Sequence, residues 1–184
     1  AEMVYIPEED RGTLCISSQI GCTLTCSFCH TGTQRLVRNL TAAEICGQVL
    51  LAMDELGDWP AGKAERRLTN IVLMGMGEPL LNYKNVIEGI RMVTSEEGLG
   101  MSPRRITLST AGIAKMIEQL GDDDVKFNLA LSLHAANDVK RNEIMPINES
   151  NSLNHLAQAL KYFHERTGTR VTYEYIIFKD FNII

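Results

Sequence analysis

The sequence contains no run of about 18 apolar residues, the length that reads as a membrane-spanning helix, and no leader of the secretory kind. Membrane insertion and export are therefore not expected, and the expected compartment is the cytoplasm. Positive charge is also in short supply: 18 Lys and Arg stand against 23 Asp and Glu, a net charge of −5. That balance alone argues against a nucleic-acid binder, because phosphate contacts are made by Lys and Arg. The local basic groups, Arg35 and Arg38, Lys63 with Arg66 and Arg67, Arg104 with Arg105, and Lys140 with Arg141, read as solvated surface pairs. No cysteine follows Cys46, and five is an odd number, so a disulfide framework is disfavoured and metal chemistry in a reducing compartment favoured. What remains is ordinary for a folded protein. The 184 residues, 45% hydrophobic and 22% charged, suffice for one domain with a core. The chain opens Ala1-Glu2-Met3 and stops at Asn182-Ile183-Ile184 just after a strand-like segment, so it reads as cut at both ends.

Cys22, Cys26 and Cys29 follow the spacing C-x-x-x-C-x-x-C, with Phe28 before the third, in the loop after the apolar run Leu14–Ile16. Three thiolates this close can hold one cubic iron–sulfur cluster while leaving its fourth iron without a protein ligand. An open coordination position is what distinguishes catalytic metal sites from closed structural ones. With His30 the same cysteines also fit a Cys3His zinc site, although zinc modules usually separate their ligand pairs more widely. A ferredoxin-like carrier would need a fourth cysteine, and Cys15 and Cys46 belong to no second motif.

Strand candidates alternate with amphipathic helices. The expected strands are Thr13–Ser18, Asn70–Met74, Arg105–Ser109, Phe127–Leu133 and Val171–Phe178. Thr41-Ala42-Ala43-Glu44 is a capping box that opens a helix with Ile45, Val49, Ala52, Met53 and Leu56 on one face. Further helices are expected from about Tyr83 to Ser95, from Gly112 through Leu120, and from about Leu153 to Arg166, with Gly168 as a stop. Cys46 on the first helix reads as a core residue. Alternation of this kind implies α/β architecture with parallel strands and right-handed crossovers, here an incomplete (β/α) barrel of about five parallel strands. In such barrels the loops at the C-terminal strand ends build the active site, and the cysteine loop follows the first strand. Gly57–Arg67 is the one loose insertion.

The other strand ends also bear polar groups. The second strand runs into Met74-Gly75-Met76-Gly77-Glu78-Pro79, a tight turn able to bring carbonyls and a carboxylate to a cationic ligand; Glu78 equally suits the start of the next helix. Ser109, Ser132 and His134 stand where they can hydrogen-bond a bound nucleoside, or serve as caps and structural groups.

The cysteine motif resembles that of the radical S-adenosylmethionine (SAM) superfamily, and Gly77-Glu78 resembles its SAM-binding glycine–glutamate turn. The resemblance narrows with Val4 to Gln19, Gly75-Met76-Gly77-Glu78-Pro79-Leu80-Leu81-Asn82, Leu131-Ser132-Leu133-His134-Ala135 and Arg141-Asn142-Glu143-Ile144-Met145-Pro146-Ile147-Asn148. Together these look like the RlmN family of dual-specificity RNA methyltransferases, with the Cfr-like carbon-8 methyltransferases, or another radical SAM enzyme, as the alternative. The resemblance implies a radical SAM core domain over 1–184, truncated, with an N-terminal accessory domain and the C-terminal end of the barrel lying elsewhere. It implies methylation of carbon 2 of adenine in 23S rRNA and tRNA, and an electron donor of the flavodoxin type. It implies a 4Fe–4S cluster on Cys22, Cys26 and Cys29, and SAM held by Gly77, Glu78, Ser109, Ser132, Leu133 and His134. Cys15 matches the family's resolving cysteine and Glu2 its proton acceptor from adenine. The methyl-carrying cysteine of the family has no counterpart after Cys46, so the 184-residue piece is not expected to methylate RNA by itself.

Overall fold

The computed structural model describes residues 1–59 and 66–183. Lys63, much of the Gly57–Arg67 segment and Ile184 lie outside the described residues. The strands among those described are β1 Val4–Pro7, β2 Gly12–Cys15, β3 Gln19–Ile20, β4 Arg38–Asn39, β5 Asn70–Leu73, β6 Ile106–Thr110, β7 Asn128–Ser132 and β8 Val171–Glu174. The α-helices are α1 Ala42–Glu55, α2 Tyr83–Thr94, α3 Ala114–Asp122, α4 Asp138–Ile144 and α5 Leu153–Thr167.

Six strands form one open sheet in the order β1-β2-β5-β6-β7-β8. From β2 to β8 every pairing is parallel, so the expected five parallel strands are present and every C-terminal strand end faces the same side. The register aligns Leu73 with Leu108 and Leu108 with Leu129, building an apolar row across the sheet. This row joins Ile45, Val49 and Met53 of α1, Val86, Ile90 and Val93 of α2, Ile117 and Leu120 of α3, and Leu156 and Phe163 of α5 in one core. Each such side chain contributes about 1.5–3 kcal/mol by leaving water. Cys46 is buried in that core, as expected. The capping box of α1 forms as its sequence dictates: the Thr41 hydroxyl accepts from the Glu44 N–H and the Glu44 carboxylate from the Thr41 N–H.

Besides the short β3–β4 pair, which the sequence reading lacks, the structure departs from that reading chiefly in four places. Val4–Pro7 is an antiparallel edge strand paired with β2, with Val4 opposite Cys15; its largely exposed residues and terminal Pro7 hid it, proline being tolerated at sheet edges. The first parallel strand stops at Cys15 rather than Ser18, because Gln48 takes both the N–H and the carbonyl of Ser17. The last strand stops at Glu174 rather than Phe178. Beyond it, the N–H of Ile176 goes to His134 Nδ1 and that of Phe178 to Asn182 Oδ1, so side chains capture groups that a ladder would use. Finally, α4 is an additional short helix, capped by the Asn137 side chain on the Lys140 N–H.

Candidate functional site

The cysteine loop is held at its base by β3 and β4, which pair Gln19 with Asn39 and Ile20 with Arg38. Within it the Cys22 N–H donates to the Gln34 carbonyl and the Cys29 N–H to that of Cys26. Gly32 is required where the loop folds back: a Cβ there would lie 2.9 Å from the Cys26 carbonyl oxygen. The Ser27 N–H donates to the Ile144 carbonyl at 3.0 Å, tying the loop to the end of α4. Phe28 packs edge-on against His134, with centroids 4.7 Å apart, and tilts against Phe178.

Cys22, Cys26 and Cys29 face a cleft of about 490 Å³ at the C-terminal ends of the parallel strands. Burial raises all the cleft thiols for which a shift is resolved, and Cys26 is pushed up to about 11 by burial together with the neighbouring Cys29 and Cys22. Desolvated, mutually repelling thiols are the chemistry of a metal-ligand set, since a bound metal displaces their protons and neutralises the charge. Among the described residues no three His, Cys, Asp or Glu side chains converge on a point that one metal ion would occupy. His30 is exposed and stands outside the cleft wall. With His30 outside the cleft the Cys3His set is not brought together, whereas a cubic cluster needs only the three thiolates, each on a different iron. The residues fit the cluster.

Facing the cysteines is the turn after β5. Gly77 has φ +96, and a Cβ there would sit 2.5 Å from that of Gln19, so only glycine fits. The Gln19 amide oxygen accepts the Glu78 N–H at 2.9 Å. Glu78 is completely buried. Its carboxylate accepts from the N–H groups of Leu80 (3.0 Å) and Ala111 (2.7 Å) and from the Thr110 hydroxyl (2.8 Å). Glu78 thus caps the short turn Pro79–Asn82 and also lines the cleft. Burial raises its carboxyl, opposed by those three donors.

The far wall is made by Ser109, Ser132 and His134, with Glu174 and Tyr175. The two serines cap no helix; each hydroxyl donates to Glu174 Oε2 at 3.2 Å. His134 is buried in the left-handed region at φ +54. Its Nδ1 accepts the Ile176 N–H at 3.1 Å, which places the imidazole proton on Nε2. Burial and then the Arg141 charge lower it to about 4, so the ring is neutral at physiological pH.

Sequence reasoning missed three residues here, and misplaced one of them. Arg141, expected on the surface beside Lys140, is fully buried. It donates to the carbonyls of Leu133 (3.0 Å), Ala111 (2.7 Å) and Ser132 (2.9 Å) and to Asn148 Oδ1 (2.7 Å), stitching the ends of β6 and β7 together. Glu174 and Asn182 lay in a segment read as a plain strand and chain end. Asn182 donates to the carbonyls of His134 and Ile176, both at 2.7 Å, and so straps residues 175–182 over the wall. The one signal for Arg141 was its place in a run already marked by resemblance.

Three expected site residues stand back from the cleft. Leu133 contributes its backbone, N–H to the Glu174 carbonyl and carbonyl to Arg141. Cys15 is half-buried in β2 opposite Val72, its thiol raised by burial and partly relieved by the backbone of Met74, which does line the cleft. Glu2 is exposed, and its carbonyl accepts the Ser17 hydroxyl at 2.5 Å, which in turn accepts the Met76 N–H.

A half-barrel of parallel strands with three thiols at the end of the first and a glycine–glutamate turn at the end of the second defines a class, and the chain belongs to the radical SAM superfamily, whose family model matches residues 16–183. Within it, the chain is similar to curated RNA methyltransferases. It is 61% identical to one from Cytophaga hutchinsonii, named as a probable dual-specificity RNA methyltransferase RlmN, over 98% of this chain and 48% of the relative. It is 54% identical to the dual-specificity RNA methyltransferase RlmN of Parvibaculum lavamentivorans, over 98% and 46%. A crystal structure of a radical SAM methyltransferase from Sphaerobacter thermophilus superposes with a TM-score of 0.91 at 41% identity, over 98% of this chain and 51% of that one. The chain spans about half the length of the curated relatives it matches. Among the described residues no helix is long and apolar enough to cross a membrane.

Proposed function

We propose that this chain is the core of a radical SAM methyltransferase that, when complete, methylates carbon 2 of adenine in 23S rRNA and tRNA in the cytoplasm. The observation supporting it is that the thiols of Cys22, Cys26 and Cys29 and the wall of Glu78, Ser109, Ser132 and His134 share one cleft. A 4Fe–4S cluster and SAM, when bound, supply the one-electron chemistry that a non-nucleophilic carbon requires. The chain's own residues hold and orient. The three cysteines carry the cluster, the Gly77–Glu78 turn closes one side, and the neutral His134 offers its Nε2–H as a donor that stays fixed across physiological pH. Phe28, on the cleft wall, is backed by Phe178 and through it by Phe181.

Within this reading Cys15 is the thiol that resolves the protein–RNA adduct, its raised pKa keeping it protonated at rest, and Glu2 accepts the proton from adenine. The methyl-carrying cysteine, the N-terminal accessory domain, the rest of the barrel and the RNA-binding surface belong to the half of the relatives' length that this chain does not span. Such an arrangement reconciles a net charge of −5 with an RNA substrate. A flavodoxin-type protein supplies electrons.

The test has two stages. After anaerobic reconstitution, EPR of the reduced protein is expected to show a 4Fe–4S signal that shifts on adding SAM. The complete protein is then given RNA, and the digested nucleosides are analysed by mass spectrometry. 2-Methyladenosine supports the proposal; 8-methyladenosine would assign the Cfr-like reaction instead. A SAM-responsive cluster with no methylated adenine would leave a radical SAM enzyme of another substrate.

A further inference from the structure

Ser109, Ser132 and Glu174 sit at or next to the C-terminal ends of three consecutive strands, β6, β7 and β8. The β7–β8 ladder pairs Ser132 with Glu174 directly. Both hydroxyls reach the same oxygen, Glu174 Oε2, at 3.2 Å, and all three residues line the cleft. The backbone beneath the carboxylate is fixed as well, because the N–H groups of Leu133 and His134 both donate to the Glu174 carbonyl.

A serine hydroxyl has one proton and two lone pairs, and an ionised carboxylate only accepts. With both protons directed to Glu174, each serine turns lone pairs toward the cleft. The three residues together therefore make an acceptor patch: two hydroxyl oxygens and the second carboxylate oxygen, Oε1. A ligand group docking there must bring hydrogens. The patch lies at the β6–β8 ends, whereas the cysteine loop rises after β2. If the amino-acid end of SAM is drawn to the cluster, its nucleoside end extends across the cleft toward the patch. The part of that end with two adjacent hydroxyl donors is the ribose.

We infer that Glu174 is a positioning residue for the ribose of SAM, holding Ser109 and Ser132 so that their hydroxyl oxygens accept from the 2′- and 3′-hydroxyls. The inference rests on the reading of the cleft as a SAM site and adds to it a residue and a hydrogen-bond direction. A glutamine in its place has the same shape, but it carries no charge and presents one acceptor and one donor group where the carboxylate presents two acceptors.

The experiment measures equilibrium binding of SAM, and of SAM carrying 2′-deoxyribose, to the full-length protein reconstituted anaerobically. Wild type is expected to favour SAM over the deoxy compound by roughly tenfold, the scale of one lost hydrogen bond to a charged acceptor system. Glu174→Gln is expected to weaken SAM roughly 10- to 100-fold and to lose the discrimination, with iron content and melting temperature unchanged. Equal SAM affinity in wild type and Glu174→Gln overturns the inference. So does a wild type that binds both compounds equally, which decides the matter even if the variant fails to fold. A wild type with an intact cluster that binds no SAM overturns the underlying reading of the cleft, a result distinguishable from either.

Discussion

Glu78 and Arg141 grip the same residue from opposite sides: Ala111 donates its N–H to Glu78 Oε2 at 2.7 Å and accepts from Arg141 Nη2 at 2.7 Å. Glu78 and Arg141 are thus linked through one residue, by the peptide groups on either side of its Cα, rather than paired directly. The arrangement fixes the end of β6 beneath the cleft. The Arg141 charge also opposes the rise of the Cys26 thiol and, after burial, assists the fall of the His134 imidazole.

Replacing Arg141 with methionine leaves the carbonyls of Ala111, Ser132 and Leu133 and the Asn148 amide without their donor inside the protein. The expected cost is about 3–5 kcal/mol, the range for breaking a buried charged network. Denaturant unfolding checks it. Lysine should recover little, since one ammonium cannot reproduce the forked geometry of Nε, Nη1 and Nη2.

His134 sets a pH dependence whose sign is fixed by its environment. Its folded pKa, about 4, lies below the ordinary 6.5. Between those values the unfolded chain binds more protons, so stability from this group is complete above about pH 6.5 and is lost as pH falls toward 4. The size is on the order of 1–3 kcal/mol. Urea midpoints of wild type and His134→Gln, compared from pH 7 to pH 4.5, should converge as pH falls.

At Gly77 a methyl group meets two obstacles, a φ of +96 and the Gln19 side chain at 2.5 Å. Gly77→Ala is expected to cost about 1–3 kcal/mol. By displacing the Glu78 N–H from Gln19 it should also lower SAM affinity. Calorimetry of reconstituted variant and wild type measures both effects.

The thiols predict how the metal site loads. Because Cys26 is held at about 11, assembling a cluster must displace its proton, and loading should improve as pH rises from 7 to 8.5. Iron and sulfide per protein after reconstitution provide the measure. Cys22→Ala, Cys26→Ala or Cys29→Ala should each abolish a SAM-responsive EPR signal, and chelation of wild type should do the same.

Asn182 straps residues 175–182 through bonds to His134, Ile176 and Phe178. Asn182→Ala leaves those backbone groups unpaired, at a cost of about 1–3 kcal/mol for the segment. Limited proteolysis should cut the variant after Glu174 sooner than wild type while the sheet up to β8 remains protected.

What the sequence revealed and what it hid separate along physical lines. The cysteine spacing, the Thr41–Glu44 cap and the apolar face Ile45–Val49–Met53 are local patterns, and each is found where it was expected. Glu174 and Arg141 acquire their meaning from partners 65, 42 and 30 residues away, Ser109, Ser132 and Ala111, and no local pattern encodes those distances. Tyr175 to Phe178 has strand-like composition, yet His134 and Asn182 draw its N–H groups out of the sheet. Arg141 follows Lys140 in sequence and looks like half of a surface pair, but helix α4 turns it inward.

The register that sets Ser132 opposite Glu174 ties the make-up of the cleft wall to the correct pairing of the sheet. Side chains alternate between faces along a strand, so a slip of one residue between β7 and β8 would send Glu174 to the opposite face from the serines. Such a chain would still bury some apolar surface, but it would lose the acceptor patch and any ligand held there. Since a ligand stabilises only the state that binds it, SAM would reward the correctly paired sheet and leave the misaligned one to unfold.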